Sequence, residues 1–253
     1  MDIYEPDRSW RGKLRRRTVR LQHRRPVTRV IERPMVSFAF DDAPVSSARA
    51  GRAVLEARGV KGTWYISAGL LGTDAPVGRV VSEADVRALA EAGHEIGCHT
   101  FSHLDCGAAT GGAVRDDLDR SADAMAAWGL SPATTFAYPY GDVSAPAKRA
   151  VSERFALSRA LHPGLVEQGS DLNQAPAVSV EGEDGEAIGR WWLDRAAHRS
   201  AWLILFAHAV EGAPSRFGMS ADTLAALADS ALARGFEVVT VAEGAARVGS
   251  VAP

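Results

Sequence analysis

The chain has 253 residues, 46% of them hydrophobic and 24% charged, with a formal net charge of −2. That composition fits an ordinary globular protein of one or two domains, and the near-zero charge argues against a polyanion binder, so no nucleic-acid partner is expected. No apolar run approaches the roughly 20 residues that cross a bilayer, which predicts no transmembrane segment. Two cysteines, Cys98 and Cys106, are too few for a disulfide framework and fit a reducing, cytoplasmic compartment.

Residues 1–33 lack the apolar core of a secretory signal and are instead basic, from Arg8 and Arg11 to Arg29 and Arg33. They read as a solvated helix or arm packed on the edge of a domain spanning 34–253. The alternative is contact with an anionic partner, such as a phosphate-bearing sugar carrier or a membrane surface.

From Met35 the pattern changes. Strands are expected over Met35–Phe40, Gly62–Ser67, Glu95–Cys98, Thr135–Tyr138, Phe155–Ser158, Trp202–Ala207 and Phe236–Thr240. Helices are expected between them over Ser46–Arg58, Ser82–Ala92, Gly112–Trp128, Ala145–Ser152, Glu186–His198 and Ser220–Arg234, with Ser82 as an N-cap. A long loop follows the fifth strand. Alternating short, apolar strands and helices predict an α/β fold: a distorted, incomplete (β/α) barrel of about seven parallel strands.

Reactive residues fall at the C-terminal ends of these strands, where a parallel barrel gathers its site. Asp41 and Asp42 follow the first, His99 and His103 the third, Tyr140 the fourth, Arg159 the fifth and His208 the sixth. On one helical turn, the spacing of His99 and His103 puts both imidazoles on one face. With a carboxylate from another strand end they form a His-His-Asp set that leaves positions open for water and substrate. Adjacent aspartates face different ways, so one suits the metal and the other the reacting water. Zinc suits such ligands, with cobalt and nickel as alternatives. Blander readings compete. Asp41-Asp42 before Ala43-Pro44 could cap the next helix. A closed Cys/His zinc site around Cys98 and Cys106 is disfavoured, because Cys98 points away from its neighbour His99. His94 reads as structural, His23 and His198 as surface residues, and His162 as undecided.

Taken together these residues resemble the polysaccharide deacetylases of the NodB-homology type, carbohydrate esterase family 4. The first family motif is similar to Ala39-Phe40-Asp41-Asp42-Ala43, the second to His99-Thr100-Phe101-Ser102-His103, the third to Pro139-Tyr140-Gly141, and the fifth to the Leu203–His208 run. The resemblance covers roughly Pro34 to Ala245. It implies one divalent metal on Asp42, His99 and His103, and Asp41 as the general base. It also implies the Tyr140 backbone N–H at the oxyanion and His208 as the acid for the leaving amine. Leu205 and Phe206 would form an apolar pocket for an acetyl methyl.

Three departures stand out. The arginine of the third motif is missing from Thr134–Tyr138, and Arg159 is expected to supply its charge to Asp41. The acidic fourth motif is not recognisable, and Asp171 and Asn173 occupy that loop. Ala43 stands where the family has glycine. Segments His99–Asp105, Phe136–Asp142 and Arg159–Asn173 also resemble a smaller group of intracellular deacetylases associated with bacterial surface-polysaccharide genes. The expected reaction is removal of N-acetyl groups from an amino sugar of a polysaccharide or its precursor, whether free, nucleotide-linked or lipid-linked. Alternatives are a deformylase or cyclic-amide hydrolase of the same fold, and a non-catalytic sugar-binding relic. Oligomeric state is not legible.

Overall fold

Every residue of β1, Met35–Phe40, is buried, because the strand has a core on both of its faces. The computed structural model describes residues 10–249. In chain order it begins with α1 (Trp10–Thr18), which tightens into a final turn at Val19–Leu21, and β1. A π-type turn at Ser47–Gly51 runs into α2 (Arg52–Glu56), followed by β2 (Thr63–Ile66) and a small hairpin, β3 (Asp74–Ala75) and β4 (Gly78–Arg79). Then come α3 (Glu83–Glu91), β5 (Glu95–Cys98), α4 (Gly111–Ala127), β6 (Thr135–Ala137), α5 (Ala145–Ser152) and β7 (Leu157–Arg159). The last part holds β8 (Val178–Ser179), α6 (Gly185–Arg199), β9 (Trp202–Ala207), β10 (Ala209–Glu211), β11 (Gly218–Ser220), α7 (Ala221–Ala233), β12 (Glu237–Val238) and α8 (Val241–Val248).

Seven strands pair in the order β7-β6-β5-β2-β1-β9-β8, parallel throughout, and curl into the incomplete barrel that the alternation predicts. β12 pairs with the start of β1, at Met35 and Val36, while the end of β1 pairs with β2. Between the two edge strands a single parallel bridge, Arg159 to Ala175, spans the gap before the chain enters β8. Ser82 caps α3 as expected, accepting from the Asp85 N–H while the Asp85 carboxylate accepts from the Ser82 N–H.

Strand alternation sorts the side chains. Val36, Phe38 and Phe40 pack outward under the helices with Trp64, Ile66, Cys98 and Leu205. Met35 and Ala39 point inward with Tyr65, Ala137, Leu157, Ile204 and Phe206. Leu205 therefore faces the helical layer and cannot share an acetyl pocket with Phe206, contrary to the sequence reading. Continued past the strand ends, the inward register reaches Asp41, His99 and His208, and on β7 it ends at Arg159.

Several short elements escape the sequence reading. β8 lies within the stretch expected as a loop, the small pairs β3/β4 and β10/β11 lie outside the expected strands, and α8 follows the last strand. β7 also sits later than expected, so Arg159 is its last residue rather than the one after it.

Among the described residues, the basic segment packs on the domain at several points. Val19 and Val27 are buried. Arg25 donates to the carbonyls of Ser152, Phe155 and Ala156. The Lys148 ammonium, fully buried, donates to the Val19 carbonyl, to Asp171 and to Gln174. Arg15 donates to the Gly107 carbonyl and the Asp142 carboxylate.

Candidate metal centre and active site

Asp42, His99 and His103 each offer one ligand atom, and the three atoms lie within 4.8 Å of one another in buried surroundings. Asp42 Oδ1 stands 3.3 Å from His103 Nε2 and 3.7 Å from His99 Nε2. Ligands bound at about 2.0–2.2 Å around tetrahedral zinc are separated by about 3.4 Å. Asp42 Oδ1 is also buried without a hydrogen-bond partner, an arrangement that costs free energy unless something occupies its lone pairs. The donor set therefore fits one divalent ion. Cys98 and Cys106 are buried free thiols outside this set.

The backbone, rather than a helix, aims these ligands. Asp42 (φ 56°), Ala43 (φ 43°), Thr100 (φ 65°), His103 (φ 56°) and Tyr140 (φ 58°) all occupy the left-handed region, five of the seven described non-glycine residues that do so. Such residues cost about 1–3 kcal/mol each and persist where the surroundings enforce them. Residues 99–103 are a loop, not the helical turn that their spacing suggests. Asp117 of α4 holds it, accepting from the N–H groups of Phe101 and Ser102 and from the Ser102 hydroxyl. His99 donates from Nδ1 to the Ala137 carbonyl at 2.8 Å, which leaves the Nε2 lone pair free to ligate. The Tyr140 ring packs edge-on against His103.

Asp41 sits one residue before the ligand and takes the inward direction. Arg159 donates from Nη2 to its Oδ1. The guanidinium is 1% exposed and lies between the rings of Tyr65 and Phe206. Burial alone would raise the pKa of Asp41, but the charge and hydrogen bond of Arg159, together with the nearby His99 and His208, hold the carboxyl below its usual range. Asp42 is raised, mainly by burial. Burial brings His99 and His103 down to about 4. Both are therefore neutral at pH 7, as ligands must be.

His208 behaves oppositely. Burial works against its charged form, yet the hydrogen bond and charge of Glu181, with Asp41 and Asp42 nearby, overcome this and the pKa is pushed up to about 9. Its Nδ1 donates to Glu181 Oε1 at 2.6 Å, and its backbone N–H donates to the same oxygen. Nε2 is left facing Asp42 Oδ2 at 4.0 Å.

The sequence-selected residues Asp41, Asp42, His99, His103, Tyr140, Arg159 and His208 thus meet at one end of the barrel. His162 lies instead beside Arg20 and Arg24. Glu181 and Asp117 were missed. Val178-Ser179-Val180 leading to Glu181 is the same apolar-run-then-polar pattern as the other strand ends, but β8 is only two residues long. Asp171 and Asn173 do not fill the acidic role by His208. Asp171 binds Lys148 and the Arg25 N–H, and Asn173 donates to the His23 carbonyl.

Comparison with known proteins agrees with this geometry. The profile of the polysaccharide deacetylase family matches residues 29–155, a span that includes Asp41, Asp42, His99, His103 and Tyr140. No curated protein matches the chain in sequence. Among solved structures, a deacetylase determined with substrate has a TM-score of 0.61 at 16% identity, covering 85% of this chain and 92% of that one. The chitin deacetylase of the fungal pathogen Colletotrichum lindemuthianum has a TM-score of 0.59 at 14% identity, covering 86% and 90%. A carbohydrate esterase family 4 pseudoenzyme from Bacillus anthracis has a TM-score of 0.58 at 13% identity, covering 84% and 66%.

Proposed function

The chain belongs to the polysaccharide deacetylase family, and from that membership we propose that it is a metal-dependent amide hydrolase removing N-acetyl groups from an amino sugar of a polysaccharide or its precursor. The observation that carries this reading is a pair of groups driven apart in proton affinity on either side of one ligand set. Asp41 is held ionised beside Arg159, and His208 is held protonated by Glu181. Such a pair supplies a base and an acid at the same pH.

Asp42, His99 and His103 would hold the metal. When bound, it would polarise the amide carbonyl and make a water more acidic. Asp41 takes the proton of the attacking water as that oxygen bonds to the acetyl carbon. The Tyr140 backbone N–H is assigned to the oxyanion of the tetrahedral intermediate, a contact of a kind that is worth about 10²–10³ in rate. As the carbon–nitrogen bond breaks, His208 gives its Nε2 proton to the departing nitrogen. Acetate and a free amino sugar leave. Arg159 is a positioning residue acting through Asp41, and Glu181 one acting through His208. Phe206, on the inward face beside Arg159, is the apolar wall assigned to the acetyl methyl.

Acetate release from a panel of N-acetylated sugars tests the proposal, with N-formyl sugars and cyclic imides alongside. Turnover of acetylated sugars that Asp41→Asn abolishes is the expected result. Preference for formyl or cyclic substrates would move the assignment to those amides. Absence of stoichiometric metal would favour a sugar-binding relic.

A further inference from the structure

Ten of the 29 Lys and Arg fall between residues 8 and 31, where no Asp or Glu occurs. The catalytic reading makes no use of them. Within this stretch α1 and the turn after it lie against the domain by one side. Gly12 and Val19 are buried there, and Arg15 reaches Gly107 and Asp142. Trp10, Leu14 and Arg17 follow at intervals of four and three residues, which aligns them along one side of α1, and Leu21 follows in the turn after it. Trp10 is 69% exposed, Leu14 52% and Leu21 77%, and Arg17 is exposed among them. A groove of about 580 Å³ runs between Trp10, Leu14, Arg17 and Arg20.

The position of this face is as informative as its composition. Gly107 and Asp142, which hold Arg15, follow the His99–His103 loop and the Pro139–Gly141 turn. The stripe therefore lies beside the mouth of the barrel. Arg20 also lines a second groove, of about 280 Å³, that passes Arg24 and reaches His162 in the loop after β7.

A helix with a Trp/Leu stripe set in a field of arginines is the pattern of an interfacial helix, whose apolar residues enter the acyl boundary while the cations meet anionic headgroups. Contact with a nucleic acid would use the arginines but would leave Leu14 and Leu21 with nothing to bury against. We propose that this face docks the protein on an anionic lipid surface and holds the mouth of the barrel beside the headgroups. The proposal stands apart from the reaction assigned above, since docking is read without turnover.

The full chain is sedimented with vesicles of phosphatidylcholine alone and of phosphatidylcholine mixed with phosphatidylglycerol. It is expected to partition onto the anionic vesicles, and less so as salt rises. Arg17→Glu with Arg20→Glu should lower partitioning by at least about tenfold. Trp10→Ala with Leu14→Ala should lower it by about tenfold through the loss of buried apolar area. Both variants are checked for unchanged circular dichroism and bound metal, so that a misfolded protein is not scored. Failure of the full chain to bind anionic vesicles at low salt would overturn the proposal. So would equal binding by the charge-reversed variant, or displacement from vesicles by a short single-stranded oligonucleotide at stoichiometric concentration.

Discussion

Arg159, the last residue of β7, donates to the carboxylate of Asp41, 118 residues earlier in the chain, at the mouth of the barrel. It does from a neighbouring strand what the missing arginine of the third motif would be expected to do. Arg159→Ala should lower kcat/KM by about 10²-fold, within the range for a general base losing its poise. It should also raise the acid limb of the pH profile, because the strongest of the groups that oppose burial at Asp41 is then gone. Leaving one half of a buried pair costs about 3–5 kcal/mol of stability, so the variant is assayed below its melting transition. Arg159→Lys should recover part of the activity. An unchanged profile in Arg159→Ala would remove the arginine from the mechanism.

Glu181→Gln removes the charge that keeps His208 protonated to about 9. The basic limb of kcat/KM should move down toward the ordinary histidine value near 6.5. Activity at pH 8 should fall by about tenfold or more, with recovery at lower pH. A rate–pH profile between pH 5 and 10 checks this, and an immobile basic limb would refute the role of Glu181.

His103→Ala should abolish stoichiometric metal and reduce turnover by more than about 10²-fold. Asp117→Ala is the subtler case. It touches no ligand atom, but it releases the N–H groups that fix the loop between His99 and His103. Loss of such an outer partner costs about 10–100-fold in metal affinity. Titration with zinc and a competing chelator measures the difference, and added metal should restore the rate.

The metal-free protein should be acid-labile at mild pH. His99, His103 and His162 are each brought down to about 4 by burial, and His94 is lowered for the same reason. Unfolded histidines titrate near 6.5. Below that pH the unfolded chain takes up protons that the folded one refuses, so stability falls as the pH drops from about 6.5 toward about 4. The slope is about 1.4 kcal/mol per pH unit for each fully titrating group. His208 acts in the other direction. Its folded pKa is about 9, so its contribution is complete below about 6.5 and lost as pH rises through 9. Urea midpoints between pH 4.5 and 9 should therefore peak near neutrality, and a flat curve from 6.5 to 5 would contradict the burial assigned to these histidines.

Strand ends were legible in the sequence because each of the longer strands is an uninterrupted apolar run stopped by a polar residue. β1 and β9 were bounded to the residue for that reason, and Asp41 and His208 with them. β8 is two residues of barrel strand between loops, too short for periodicity to show, so the sequence does not single out Glu181 and leaves the acidic fourth motif unrecognised. The His99–His103 spacing picks out two imidazoles that do lie together, but not through the helical turn it suggests. A helical turn and a loop with two left-handed residues can both bring positions four apart together, and only the partner Asp117, fifteen residues downstream of Ser102, distinguishes them. Arg159 was found because a positive charge was missing elsewhere, an argument from chemistry rather than from pattern.

The buried ammonium of Lys148 ties the arm to the barrel at Val19, across the boundary drawn at Pro34. Its partners are Val19 from the arm, Asp171 and Gln174. A chain trimmed to begin at Pro34 would keep the cation and lose part of its cage, while the Asp171 carboxylate would lose the Arg25 N–H. Truncation is thus a poor way to ask what the arm binds.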